Sequence, residues 1–103
     1  MTLSWQEGKA IETETAATFA DGIATRVPVP EALTMMVGRV DAMRLVSETA
    51  LHEAQAELGA ELVISVEGAA AASWAAVLAD RDPPPGAALV IVTGSNVPLA
   101  PSA

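Results

Sequence analysis

The sequence contains no cysteine and no tyrosine, and it has few basic or aromatic side chains. Without cysteine the chain can form neither a disulfide framework nor a thiolate metal site. Only 5 Lys and Arg residues stand against 13 Asp and Glu, and they are dispersed along the chain. Because nucleic-acid binding depends on clustered basic residues that contact phosphates, the net charge of −8 argues against that class of function.

The sequence also lacks any apolar run close to the roughly 20 residues that span a bilayer. Its first residues do not combine a basic flank with an apolar core, so we expect no signal peptide, no membrane partner and a cytoplasmic location. At 103 residues the chain is at most one small domain, and its only aromatic residues are Trp5, Phe19 and Trp74. A deep, enclosed active site is hard to build from such a chain.

One stretch, Ala88–Asn96, joins an unbroken apolar run to small polar residues. Runs of Val and Ile without alternation are typical of a strand that is covered on both faces, as in a parallel sheet. Ligands of such sheets bind beyond the carboxyl ends of the strands, where Thr93 stands. The local sequence leaves a second interpretation open, in which residues 93–96 are only a turn after a core strand.

The preceding sequence predicts further elements. Residues 1–17 are polar and without periodicity, which indicates a loop. Apolar spacing predicts a helix over residues 31–40, opened by Pro30, and a short strand over residues 41–46. The Asp21-Gly22 pair indicates a turn in which Gly22 can adopt a positive φ.

Two more helices are expected in the second half of the chain. Ser47 is the predicted N-cap of the first, and Gly59 its predicted end. The second is rich in alanine and covers residues 69–79, before a proline-rich break. Residues 97–103 contain two prolines and are expected to form an irregular tail.

Two catalytic alternatives are weak on the residues alone. The three carboxylates within residues 1–17 could attract a cation, but acidic loop residues are usually solvated, and we predict no metal site. His52 could form a hydrolase triad with Ser47 and Asp41, yet the sequence has no nucleophile elbow, and a surface histidine is the better interpretation. We therefore assign no catalytic residue to this chain.

Four motifs occur in an order and spacing typical of one enzyme family: Thr18–Gly22, the pair Val40-Asp41 leading to Val46–Glu48, Val66–Ala69, and Val90–Asn96. In this respect the chain resembles the pyridoxal-phosphate-dependent threonine and serine dehydratases, lyases of amino-acid metabolism related to serine racemase and the tryptophan synthase β chain. The resemblance implies an α/β fold. Residues 18–96 would be the incomplete C-terminal portion of the large domain, a partial parallel-sheet unit.

The resemblance also implies roles for individual residues. Gly22 would allow the backbone to approach the cofactor ring closely, and Glu67 would border the cofactor pocket. Thr93 takes the place of the hydroxyl residue that hydrogen-bonds the pyridine nitrogen of pyridoxal phosphate. The chain departs from the family at two positions, because Gly68 replaces a common proline after the glutamate and Ser95 replaces a second glycine after the hydroxyl residue.

In this family the Schiff-base lysine, an asparagine at the phenolic oxygen and the glycine-rich phosphate loop all precede the matched region, and none of them occurs here. The only lysine, Lys9, is not in the family's lysine context. The parent reaction is β-elimination of water from serine or threonine, with release of ammonia and a 2-oxo acid. We expect this chain to be inactive alone, to bind pyridoxal phosphate weakly, and to need the missing enzyme half or to self-associate.

Two other hypotheses remain open. The chain could be a non-catalytic interaction or regulatory module that pairs with a partner subunit. It could also be a small independent fold whose likeness to the dehydratases is accidental. Separation of Gly22, Glu67 and Thr93 in the structure would favour this last hypothesis.

Overall fold

The computed structural model describes residues 1–95; Asn96 and the predicted irregular tail lie outside the described residues. The α-helices of this part of the chain are α1 (Thr2–Glu7), α2 (Pro30–Met36), α3 (Glu48–Leu62) and α4 (Ala72–Ala79). Two short 3₁₀ helices cover Asp21–Ile23 and Ala69–Ala71. The chain divides into two units, one made of Met1–Thr18 and Ile23–Arg44, the other of Phe19–Gly22 and the chain from Leu45 onward.

The predicted α/β class and its partial parallel sheet are wrong, because residues 1–95 contain helices and no β-strand. The two predicted strands, over residues 41–46 and 88–93, adopt neither helix nor strand. A strand exists only when a neighbouring strand completes its ladder of backbone hydrogen bonds. No segment among the described residues provides that ladder, so the β-prone sequence does not become a sheet.

Segment 88–93 also differs from prediction in its burial. Val90 and Val92 are half-buried, whereas Leu89 is 91% exposed and Ile91 is 63% exposed. The side chains therefore alternate between a packed face and an open face. The expectation of cover on both faces was wrong for this segment within the described chain.

Helix α3 begins as predicted. The Ser47 hydroxyl accepts a hydrogen bond from the backbone N–H of Ala50 at 3.1 Å, which satisfies one donor of the first helical turn. The helix does not stop at Gly59 but continues to Leu62. A Cβ at Gly59 would lie 3.3 Å from the Ile64 carbonyl oxygen, so the glycine is suited to close packing of the returning chain rather than to ending the helix.

The predicted alanine-rich helix forms as the second 3₁₀ helix followed by α4, and both pack on α3. Gln55 on α3 donates to the Val66 carbonyl at 2.7 Å, and Ser73 on α4 donates to the Ile91 carbonyl at 3.0 Å. Alanine lets these helices approach closely but gives the core little bulk. The fully buried core of the second unit consists of small and aliphatic residues: Ala20, Leu51, Ala54, Val66, Ala70, Ala71 and Ala75.

In the first unit the predicted loop over residues 1–17 contains α1. The buried Ser4 hydroxyl of this helix accepts a hydrogen bond from the N–H of Ile11 at 2.9 Å. This contact is polar, so a search for periodic apolar residues does not detect it. Helix α2 opens with Pro30 as predicted but ends at Met36, and Val37 stays 61% exposed. None of the helices within residues 1–95 is long and apolar enough to cross a membrane.

Candidate functional site

The three predicted site residues, Gly22, Glu67 and Thr93, all belong to the second unit. They lie around the start of the 3₁₀ helix Ala69–Ala71. The backbone N–H of Glu67 donates to the carbonyl of Gly94 at 3.1 Å, which places Glu67 beside the residue that follows Thr93. A Cβ at Gly22 would lie 3.0 Å from the Cβ of Ala69, the first residue of that helix. The structure thus brings together positions that are far apart in the sequence.

Gly94 allows the Glu67 side chain to pack closely against the end of segment 88–94. A Cβ at Gly94 would lie 2.8 Å from the Glu67 carboxyl carbon and from one of its oxygens. The absence of a side chain therefore lets the carboxyl group rest against the backbone. Thr93, which is exposed, is next to this contact. A hydroxyl residue and a carboxyl group consequently share one edge of the second unit.

Gly22 lies close to Ala69, but its backbone does not adopt a positive φ. The glycines with positive φ among residues 1–95 are Gly8, Gly38 and Gly86. The prediction of a positive φ at Gly22 was wrong, because Asp21–Ile23 forms a turn of 3₁₀ helix instead. A side chain at this position would be tightly placed, because its Cβ would lie 3.0 Å from the Cβ of Ala69.

Phe19 is a structural determinant of this site that the motifs alone did not reveal. Its ring lies over Gly68, where an added Cβ would come within 2.9 Å of the ring carbon Cδ2. On α3 the ring stacks with His52, with ring centroids 3.8 Å apart and an interplanar angle of 7°. The N–H of Phe19 also donates to a carboxyl oxygen of Glu48 at 3.2 Å.

These contacts give a physical reason for the unusual glycine after Glu67. A proline or any larger residue at position 68 would collide with the Phe19 ring. Phe19 and Gly68 therefore fit each other, and together they hold the Thr18–Gly22 motif against the start of the 3₁₀ helix. No pattern in the sequence related Phe19 in the first motif to Gly68 in the third.

The hydrolase alternative gains no support from the structure. The Ser47 hydroxyl is engaged as the cap of α3, and the His52 ring is exposed and stacked on Phe19. Among residues 1–95 no group of three His, Cys, Asp or Glu side chains is placed to hold a metal ion. The chemistry that the site offers is a hydroxyl group at Thr93 and a carboxyl group at Glu67.

The chemistry of these residues matches one requirement of a pyridoxal phosphate ring, a hydrogen-bonding group for the pyridine nitrogen. Thr93 offers an exposed hydroxyl and Gly22 is exposed, whereas the backbone of Gly94 is covered by the Glu67 carboxyl group. The described residues include no glycine-rich phosphate loop, since the glycines of the sequence are isolated from one another. Lys9 is exposed and follows the left-handed Gly8 cap of α1 in the first unit.

Comparison with protein families matches residues 1–94 to the family described as pyridoxal-phosphate dependent enzyme. Four chains of solved structures also match. One of them, the crystal structure of a T.th. threonine deaminase, is 30% identical, with a TM-score of 0.88. The match covers 97% of this chain but 37% of the deaminase chain. The comparison with curated proteins found no match.

Proposed function

Because the chain belongs to the pyridoxal-phosphate-dependent enzymes, we propose that it forms the pyridine side of the cofactor pocket in a threonine or serine dehydratase. The observation that carries this proposal is the grouping of Gly22, Glu67 and Thr93 around the start of one 3₁₀ helix. Similarity to a threonine deaminase over 97% of the chain supports the substrate class. The reaction would eliminate water from a hydroxy amino acid, and hydrolysis of the resulting imine would take up one water and release ammonia and a 2-oxo acid.

Each of these residues has a separate task. The Thr93 hydroxyl would hydrogen-bond the pyridine nitrogen, and unlike a carboxylate it would not enforce protonation of that nitrogen. Glu67, held by the Gly94 backbone, would border the ring, while the exposed backbone of Gly22 would approach it closely. When bound, the cofactor supplies the electron sink for charge that develops at the substrate α-carbon.

Other groups must come from protein outside these 103 residues. The sequence has one lysine, Lys9, and no phosphate cradle, whereas the chain spans 37% of the similar deaminase. We assign the Schiff-base lysine and the phosphate loop to the complementary portion of the enzyme, present in the same or another polypeptide. The cytoplasmic location stays a prediction from composition.

A chimera provides the direct test of this function. Residues 1–95 would replace the matched segment of the threonine deaminase, and ammonia release from threonine and from serine would be measured. We expect cofactor absorbance and ammonia release to return, relative to a deaminase that lacks the segment. A folded chimera, checked by circular dichroism, that binds no cofactor would contradict the proposal.

The alternative of a non-catalytic module that pairs with a partner subunit predicts a different outcome. A folded chimera that binds the cofactor but releases no ammonia from either substrate would favour it. Recovery of a defined partner with the isolated chain would favour it further, whereas a stable monomer in sedimentation would count against it.

A further inference from the structure

The segment Phe19–Gly22 is held at the candidate cofactor site by residues that are distant in sequence. These four residues belong to the second unit, whereas the chain before and after them belongs to the first. Ala20 adds a buried methyl group to the core, but Asp21 and Gly22 are exposed. Phe19 is the only large side chain of the segment. Its contacts therefore have the greatest influence on where Gly22 lies.

Two side chains of α3 contact Phe19 from the same face of that helix. His52 stacks on the ring, with ring centroids 3.8 Å apart and an interplanar angle of 7°. Glu48 accepts a hydrogen bond from the Phe19 backbone N–H at 3.2 Å. Residues four apart on a helix are neighbours on its surface, so one side chain binds the ring and the other binds the backbone of the same residue. The double contact fixes both the position and the orientation of Phe19.

Helix α3 is itself well anchored. Its Leu51 and Ala54 are buried in the core, and the Ser47 hydroxyl caps its first turn. Gln55 also donates to the Val66 carbonyl at 2.7 Å. Side chains on rigid elements place their partners more precisely than side chains on loops do. The helix can therefore determine the position of a short segment that has little regular structure of its own.

The contacts of Phe19 continue towards the other side of the site. The Phe19 ring lies over Gly68, and the adjacent Glu67 donates its N–H to the Gly94 carbonyl at 3.1 Å. This last hydrogen bond does not involve Phe19. Loss of the Phe19 contacts would therefore release Gly22, while the residues around Thr93 stay beside Glu67.

We propose that Glu48 and His52 are positioning residues of the candidate cofactor site, which act through Phe19 to hold Gly22 in place relative to Thr93. The consequence for cofactor affinity rests on the proposed function. If the segment leaves its place for part of the time, the apparent affinity falls in proportion to the fraction of molecules that can bind. Both residues act through Phe19, and neither is catalytic.

Amide hydrogen exchange tests the hold on the segment without any cofactor. The Phe19 N–H donates to Glu48, and the Asp21 N–H donates to the Phe19 carbonyl at 2.9 Å. In the 103-residue chain and in the cofactor-free chimera, His52→Ala should speed exchange of both amides by about two- to tenfold, the effect of losing one aromatic pair. The Glu67 amide of the same unit is the reference and should change less.

Conservative variants separate these contacts from general stability. His52→Phe keeps an aromatic ring against Phe19, and Glu48→Gln keeps an acceptor oxygen, whereas His52→Ala and Glu48→Ala remove these groups. The alanine variants should speed exchange of the Phe19 amide, and the conservative variants should retain most of its protection. Glu53→Ala removes a side chain from an exposed position of the same helix and should leave the exchange of Phe19 unchanged.

The consequence for the site is measured as the pyridoxal phosphate affinity of the chimera. His52→Ala should weaken the affinity by about two- to tenfold, and His52→Phe should restore most of it. In a Phe19→Ala background, His52→Ala should have no further effect, because the residue through which it acts is absent.

Three results would overturn the inference. His52→Ala could speed exchange of Phe19 and Glu67 equally, His52→Phe could have the same effects as His52→Ala, or His52→Ala could keep its full effect on affinity without Phe19. Failure of the unsubstituted chimera to bind pyridoxal phosphate would instead contradict the proposed function. The exchange rates would then still decide whether α3 holds the segment.

Discussion

Phe19 and Gly68 are the pair of residues on which the geometry of the candidate cofactor site depends most. The ring over Gly68 connects the first motif to the residue that follows Glu67, and its stack on His52 extends this connection to α3. Gly68 has a φ of −55° and a ψ of −43°, values that alanine adopts freely. The requirement for glycine at this position is therefore steric and comes from Phe19.

The effect of Gly68→Ala on the free energy of unfolding should depend on whether Phe19 is present. Gly68→Ala should lower the free energy of unfolding by about 1–3 kcal/mol through overpacking against the ring. In a Phe19→Ala background the same change should be neutral or should stabilise by up to about 1 kcal/mol, because alanine restricts the unfolded chain. Urea denaturation of the four proteins measures both values.

A control comes from a glycine with a different requirement. Gly8 has a φ of 72°, and nothing lies within 4 Å of an added Cβ. Gly8→Ala should therefore destabilise by the same amount whether or not Phe19 is present. If Gly68→Ala behaves like Gly8→Ala in both backgrounds, Phe19 is not the reason for the glycine.

At the scale of elements, the end of α3 combines strain with exposure. Val63 is the described non-glycine residue with a positive φ, and it gains little from packing because it is 86% exposed. A left-handed conformation costs an L-residue roughly 1–2 kcal/mol, whereas glycine adopts it at no steric cost. The backbone strain at Val63 can therefore be removed by substitution without loss of a buried side chain.

Val63→Gly should consequently raise the free energy of unfolding by roughly 0.5–1 kcal/mol, the relief of strain less the added entropy of an unfolded glycine. The neighbouring change Leu62→Gly, at the last residue of the helix, should lower it by about 1 kcal/mol, because glycine favours the helix less than leucine does and the half-exposed leucine side chain is lost. Thermal and urea unfolding distinguish the two. Destabilisation by both substitutions would mean that the Val63 side chain has a packing role.

The elements also show which features the sequence could predict. Two local signals were reliable, since Pro30 opens α2 and Ser47 caps α3. The sheet was not predictable, because the Val- and Ile-rich segment 88–93 needs strand partners that the described residues do not provide. The same limit applies to Gly59, whose packing against Ile64 depends on where the returning chain lies.

The candidate site was predictable to a similar extent. The motifs led to Gly22, Glu67 and Thr93, and the structure places them around one helix start, although their cofactor roles stay predictions. The contact between Phe19 and Gly68 was missed because it joins residues distant in sequence. No local rule of propensity or periodicity relates such residues.

At the scale of the whole molecule, the chain has few large core residues and many exposed apolar ones. The second unit leaves Leu45 82% exposed and Leu89 91% exposed, while most of its buried core is alanine. Burial of apolar surface is the main stabilising contribution to folding. We therefore expect this chain to gain stability from additional protein, in agreement with its 37% coverage of the similar deaminase.

The isolated chain should not behave as a complete pyridoxal phosphate enzyme. Added cofactor should give no Schiff-base absorbance beyond weak, non-saturable reaction with Lys9 or the amino terminus, because neither group is in the family's lysine context. Lys9→Arg should reduce only this weak reaction. A saturable absorbance band that Lys9→Arg alone abolishes would contradict the incomplete-site account.

The most direct test of the central claim is the cofactor affinity of the chimera that carries residues 1–95, measured for two substitutions of Thr93. If Thr93 contacts the pyridine nitrogen, Thr93→Val should weaken pyridoxal phosphate binding by about three- to tenfold, the effect of one hydrogen bond, and Thr93→Ser should preserve it. Equal affinity of the valine and serine variants would contradict the placement of residues 1–95 at the pyridine side of the pocket.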